Sequence, residues 1–234
     1  MNQTFSPTQI IKSAWDLTKK NIKTLLGVMV VAWIIQFVPN YIQQNTNNGI
    51  ASTLISLVSW ILNGIVTMFL IDVSLKLTNN QVASIKDITN HLGLLVKYLI
   101  GSIYYSVIVG VGLLLLVVPG VIWALRYQFF GYLIIDQGLG IKDALSKSKE
   151  ITQGNLKKLF VFGLLLMLIN VAGALLLGLG LLITIPLSLM AVGVLFRQLT
   201  GVSQRSSQAP QPTEPKTDPS NMWKTYRQTQ TPSQ

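Results

Sequence analysis

Cysteine is missing altogether, and histidine occurs once, as His91. The first absence excludes disulfides, thiolate metal sites and cysteine nucleophiles. Charge is scarce as well. Only 11% of the 234 residues are charged, where a soluble domain carries about a quarter. No Gly-x-Ser-x-Gly turn, no phosphate-cradling loop ending in Gly-Lys-Ser/Thr and no His-Glu-x-x-His helix occurs. A lone histidine without carboxylate or cysteine company reads as a solvated side chain. No cleavable leader is evident, because the first apolar run is followed by Val38-Pro39-Asn40-Tyr41, without a small-x-small cleavage pattern. It is expected to remain as an uncleaved first span.

What the chain has in excess is apolar residues, which make up 50% of it, and positive charge, with a net value of +10. Four apolar runs stand out, at residues 25–42, 50–72, 98–135 and 159–195. The third would make a helix of roughly 57 Å at 1.5 Å per residue, almost twice the ~30 Å hydrocarbon core of a bilayer. It must turn back, and Pro119-Gly120 offers the break. The fourth run has the same problem, with Gly178, Gly180 and Pro186 as its break. The expectation is an all-α, polytopic integral membrane protein: a six-span bundle of three helical hairpins, each preceded by an amphipathic interfacial helix.

The division that follows has an N-terminal amphipathic helix in residues 1–23 and a membrane domain in residues 24–201. Further amphipathic helices lie near residues 80–93 and 140–153, and residues 202–234 form a disordered cytoplasmic tail. Met222-Trp223-Lys224-Thr225-Tyr226-Arg227 in that tail reads either as a patch for anionic lipid or a partner, or as plain tail. Ser6-Pro7-Thr8-Gln9 is a helix start with a serine cap and a glutamine at the capping-box position. Ile11, Trp15, Thr18 and Ile22 then form a stripe, as do Ile141, Ala144, Leu145, Ser148 and Ile151 further on. Such helices can lie among headgroups or pack under the bundle, and the two are compatible.

The hairpin units look like copies. Ile11 precedes Gly27 by 16 residues, as Ile85 precedes Gly101, and Ile141 opens a longer third version closing at Gly163. Cations recur with the same period. Lys12, Lys19, Lys20 and Lys23 precede span one, and Lys76, Lys86 and Lys97 lie between spans two and three. Lys142, Lys147, Lys149, Lys157 and Lys158 lie between spans four and five, and Arg197 leads those after span six. The opposite loops contain no Lys or Arg. The positive-inside rule puts both termini in the cytoplasm, and charge placed this way argues for membrane lipids, not nucleic acid, as partner.

Arg126 is the only cation this count leaves inside a span. An arginine at mid-span costs about 2.5 to 3.5 kcal/mol on insertion scales. One reading is snorkelling past Trp123 and Phe130 to the headgroups. The other is a counter-charge for an anionic lipid or solute, with Asn63 or Gln128 lending a carbonyl oxygen. Asn63 and Asn170 otherwise read as bridges between helices.

The stretch Pro119-Gly120, Arg126, Leu133-Ile134-Ile135-Asp136, then Ala144-Leu145-x-x-Ser148-x-x-x-Thr152-x-Gly154-Asn155 carries a family pattern. It resembles the multi-span membrane anchor of some bacterial glycerophosphodiester phosphodiesterases, and stand-alone bacterial membrane families of no assigned function. The resemblance implies a bacterial cytoplasmic membrane protein and a hairpin joined to a cytoplasmic amphipathic helix, with no chemistry in the motif. The catalytic barrel is absent. The expected function is therefore non-catalytic, with no cofactor and no metal: binding a partner protein, membrane or cytoplasmic, or organising lipid. The alternatives are a small transporter or channel for an anionic solute or lipid using Arg126, and a lipid-modifying enzyme.

Overall fold

The computed structural model describes residues 5–83, 91–176 and 178–201. These hold nine helices and no strand: α1 Pro7–Lys20, α2 Ile22–Gln44, α3 Gly49–Thr78, α4 Leu95–Leu115, α5 Val117–Tyr127, α6 Phe130–Gln137, α7 Ile141–Thr152, α8 Leu156–Leu175 and α9 Leu181–Leu199. Six segments are long and apolar enough to cross a bilayer, the fourth being α5 and α6 together. The protein is an all-α polytopic helical bundle, as its apolar runs require. The expected tail lies outside the described residues, and so does most of the amphipathic helix expected near residues 80–93.

The two ends of the bundle are built differently. At one end the last halves of α3 and α9, together with α6, are buried among α1 and α7. There Phe129, Tyr132 and Phe196 form an aromatic triangle with ring centroids 5.2 to 6.0 Å apart. At the other end, where the hairpins turn, Trp33, Ile50, Leu114 and Leu175 remain 72% to 88% exposed. So much apolar surface is a liability in water and ordinary in lipid.

The turns sit where glycine lets backbones touch. Between α4 and α5 a single extended residue, Leu116, makes the connection, three residues before the expected break. A Cβ on Gly112 would lie 2.7 Å from the Trp123 ring and 2.9 Å from the Cα of Gly120, so only hydrogen fits at this crossing. Pro119 falls in the first turn of α5, where no N–H is needed. Between α8 and α9 the chain turns at Gly178, with φ +77°, and a Cβ on Gly180 would meet the Gly173 carbonyl at 2.5 Å. Pro186 lies inside α9 and does not break it.

The face of α1 is rotated from expectation. Ile10, Ala14 and Thr18 are buried against α9, whereas Trp15 is exposed with the Lys19 ammonium 5.7 Å from its ring. Ser6 is the N-cap, but its hydroxyl bonds Thr8 Oγ1 at 3.0 Å instead of a backbone N–H. In α7 the buried residues are Ala144, Ser148 and Thr152. The two helices match in register without a gap. Ile10, Ala14, Thr18, Asn21, Leu25 and Val28 pair with Ala144, Ser148, Thr152, Asn155, Leu159 and Phe162, each 134 residues on (152 less 18, for instance). The bonding repeats too. Thr18 and Thr152 donate to the carbonyls four residues back at 2.7 and 2.8 Å, and the Asn21 and Asn155 carbonyls accept from Leu25 and Leu159.

Candidate functional site

Span four is interrupted at its middle. With the turn at Leu116, Arg126 is the tenth residue of the descending helix, roughly 15 Å from the turn. There α5 stops, and its last carbonyls lose their partners. In hydrocarbon each unsatisfied group costs several kcal/mol. Side chains satisfy them. Tyr105 Oη donates to Ala124 O at 3.4 Å, and Gln128 Nε2 to Leu125 O at 3.2 Å. Ser148 Oγ, from α7, donates to Arg126 O at 2.8 Å, and Thr152 Oγ1, whose shorter bond is to Ser148 O, lies 3.2 Å from the same carbonyl as an alternative donor. Ser148 Oγ also accepts from the Phe129 N–H at 3.1 Å. The hydroxyls of α7 thus complete the backbone of a span that the sequence presents as continuous. In the matching position α1 has Ala14, and α9 beside it is an unbroken helix with no freed carbonyl to meet.

The Arg126 guanidinium is half-buried and has no carboxylate partner among the described residues. Its place in the last turn of α5 supplies one compensation. A cation at a helix C-terminus gains typically 0.3 to 1 kcal/mol, up to about 2 in partly buried geometries. That offsets part, not all, of the insertion cost.

The other expected counter-charge residues have separate duties. Gln128 closes the end of α5. Asn63 Nδ2 donates to Gln36 Oε1 at 3.3 Å, joining α3 to α2, and its Oδ1 accepts from Thr67. Asn170 Nδ2 donates to Ser188 Oγ at 2.7 Å, joining α8 to α9. Both asparagines are bridges. Asn63 lines a groove of about 290 Å³ between α2 and α3, and Arg126 is not among its lining residues.

Two charge clusters were hidden in the sequence. Arg197 belongs to α9, where it is 8% exposed and pairs with Asp136 at 2.8 Å across the α6–α9 contact. It is not a loop cation after span six. Asp72, buried in α3, pairs with Lys76 at 2.7 Å, and His91 Nε2 stands 3.8 Å from its other oxygen. His91 therefore has carboxylate company, and Asp72 and Asp136 are not solvated partners of surface lysines. A faint signal existed: Leu70-Ile71-Asp72, Ile134-Ile135-Asp136 and Leu195-Phe196-Arg197 share an apolar-apolar-charged step whose charge falls in the last two turns of the three second spans.

No known family model, curated protein or solved structure matches the chain. Fold and site define a class: a multi-pass helical membrane protein with a tightly packed end that carries its charges.

Proposed function

We propose that this chain is a non-catalytic membrane protein that organises lipid at a bacterial cytoplasmic membrane, with its charge-bearing end in the cytoplasm. One observation carries the reading. α1 buries its small-residue face in the bundle and turns Lys12, Trp15 and Lys19 outward, with Lys23 following on α2. Indole and ammonium groups at helical spacing suit an anionic headgroup layer. The lysine pattern supports the orientation, and the resemblance of residues 119–155 to bacterial membrane anchors supports the membrane. Internal ion pairs use the remaining buried charges for packing, which leaves little for a reaction.

The test is reconstitution into nanodiscs of phosphatidylcholine with increasing phosphatidylglycerol, followed by mass analysis of retained lipid. Wild type is expected to enrich phosphatidylglycerol and to lose the enrichment in high salt. The triple variant K12Q/K19Q/K23Q is expected to abolish it. Equal enrichment by wild type and variant would reject the reading, and a co-purifying protein lost in the same variant would redirect it to a partner.

A further inference from the structure

The groove between α2 and α3 is uncharged, mixed in polarity and placed at the opposite end from the lysines. Its polar side chains are Gln36, Asn40 and Gln43 on α2 and Ser56, Ser59 and Asn63 on α3, set among the apolar Ile35, Pro39, Trp60 and Leu62. On α2 the polar residues run from Gln36 to Gln43, one residue short of the helix end at Gln44, so the groove reaches from the turn to roughly 12 Å inward. Part of its hydrogen-bonding capacity is used internally. Asn63 donates to Gln36, Gln43 Nε2 donates to Ser56 Oγ at 3.0 Å, and Asn40 Nδ2 donates to Gln36 O at 2.8 Å. Gln36 Nε2, Asn40 Oδ1 and Gln43 Oε1 have no partner among the described residues.

Those three groups lie within about two turns of the end of α2, at the depth where lipid headgroups meet the acyl chains. Trp33, Phe37 and Tyr41 run beside them on α2 as a ladder of exposed rings with centroids 5.8 and 6.2 Å apart. Unmet amides in such surroundings call for an occupant. Its chemistry follows from theirs. Free amide N–H donors on Gln36, Asn40 and Gln43 stand beside the free carbonyl oxygens of Asn40 and Gln43, with no cation and no carboxylate. An anionic headgroup would meet two carbonyl oxygens with nothing to neutralise it, and an ammonium would meet no counter-charge. Hydroxyl groups donate and accept at once. The aromatic ladder provides apolar ring surface for the attached chains.

We propose that the α2–α3 groove binds a lipid with an uncharged, hydroxyl-bearing headgroup, a glycosyl or glyceryl diacylglycerol. It uses residues separate from the lysine face, so either proposal can fail alone.

The experiment uses the full chain in phosphatidylcholine nanodiscs doped equally with monoglucosyl diacylglycerol and phosphatidylglycerol, read by native mass spectrometry in high salt. Wild type is expected to retain the glycolipid over the phosphatidylglycerol. The variants N40L and Q43L leave the Asn63–Gln36 bridge in place and are each expected to reduce glycolipid retention about tenfold, the equivalent of one hydrogen bond lost. K12Q/K19Q/K23Q is expected to leave it unchanged. Preference of wild type for phosphatidylglycerol would overturn the proposal without recourse to any variant. So would undiminished retention by N40L and Q43L, or disulfide cross-linking of introduced Ser59→Cys between two copies at full yield in glycolipid-containing discs.

Discussion

An arginine in the last turn of a buried helix needs a reason to be there, and at Arg197 the reason is Asp136. Their side chains are 9% and 16% exposed, so neither charge can rely on water. Removing one partner of such a pair typically costs about 3 to 5 kcal/mol, because the other is left uncompensated, whereas apolar replacement of both is often neutral. Asp136→Ala is therefore expected to melt well below wild type in detergent, and the double variant D136L/R197M above the single. A thermal series followed by tryptophan fluorescence checks the order. Ser148 makes a second residue-scale case. It serves a carbonyl and an N–H at once, and Thr152 can hold the Arg126 carbonyl but cannot accept from Phe129. Ser148→Ala should orphan the Phe129 N–H and cost roughly 1 to 3 kcal/mol. The exposed Ser146→Ala on the same helix should cost under about 0.5 kcal/mol.

At the scale of elements, glycine decides how near two spans can lie. Gly112→Ala places a methyl against the Trp123 ring and Gly120, and such overpacking typically costs about 1 to 3 kcal/mol. Gly110→Ala, with nothing within 4 Å of its Cβ position, should be silent in the same melting assay. The sequence does not separate the two glycines, because one-dimensional spacing does not tell which face meets the partner helix. The same limit explains the rotation of α1. Of the expected stripe Thr18 is buried, but Ile11 is only partly so and Trp15 is exposed, while Ile10 and Ala14 face the bundle. Close helix approach favours small side chains, which carry little hydrophobic signal, while a large indole is content at an interface. In α7 the charged residues occupy one side so fully that the buried stripe was legible. The break in span four was not, since an arginine, a tyrosine and a glutamine are all good helix residues. Only the hydroxyls of α7, 22 and 26 residues beyond Arg126, reveal why the helix stops.

The described spans are arranged as a ring of hairpins. The first span of each touches the second span of the hairpin before it: α4 meets α3, α8 meets α5, and α2 closes the circle on α9. The preceding helices follow the same rule, α7 lying on α5 and α6, and α1 on α9. Repetition was visible in the sequence, but matching Ile11 to Ile141 slips the third unit by four residues from the register the burial pattern fixes. One helical turn of slip keeps an apolar stripe intact, so only the polar landmarks, threonine and asparagine, discriminate. Ring closure gives α1 a duty that no other N-terminal segment of this size could be assumed to have. It packs along the last span, α9, in which Leu195 is buried, and Lys20 Nζ reaches Asn80 Oδ1 at 3.1 Å beyond the end of α3. Deletion of residues 1–20 should therefore damage the end of the chain most distant in sequence. A Leu195→Cys reporter, buried at 1% exposure in the intact protein, is expected to stay unreactive to a thiol reagent in full-length protein and to react in the truncated form. A reporter at Leu133, on α6, which packs chiefly against α3, α4 and α7, should lag behind. Equal reactivity of the two would mean general unfolding, and protection of Leu195→Cys after truncation would mean that α1 does not close the ring.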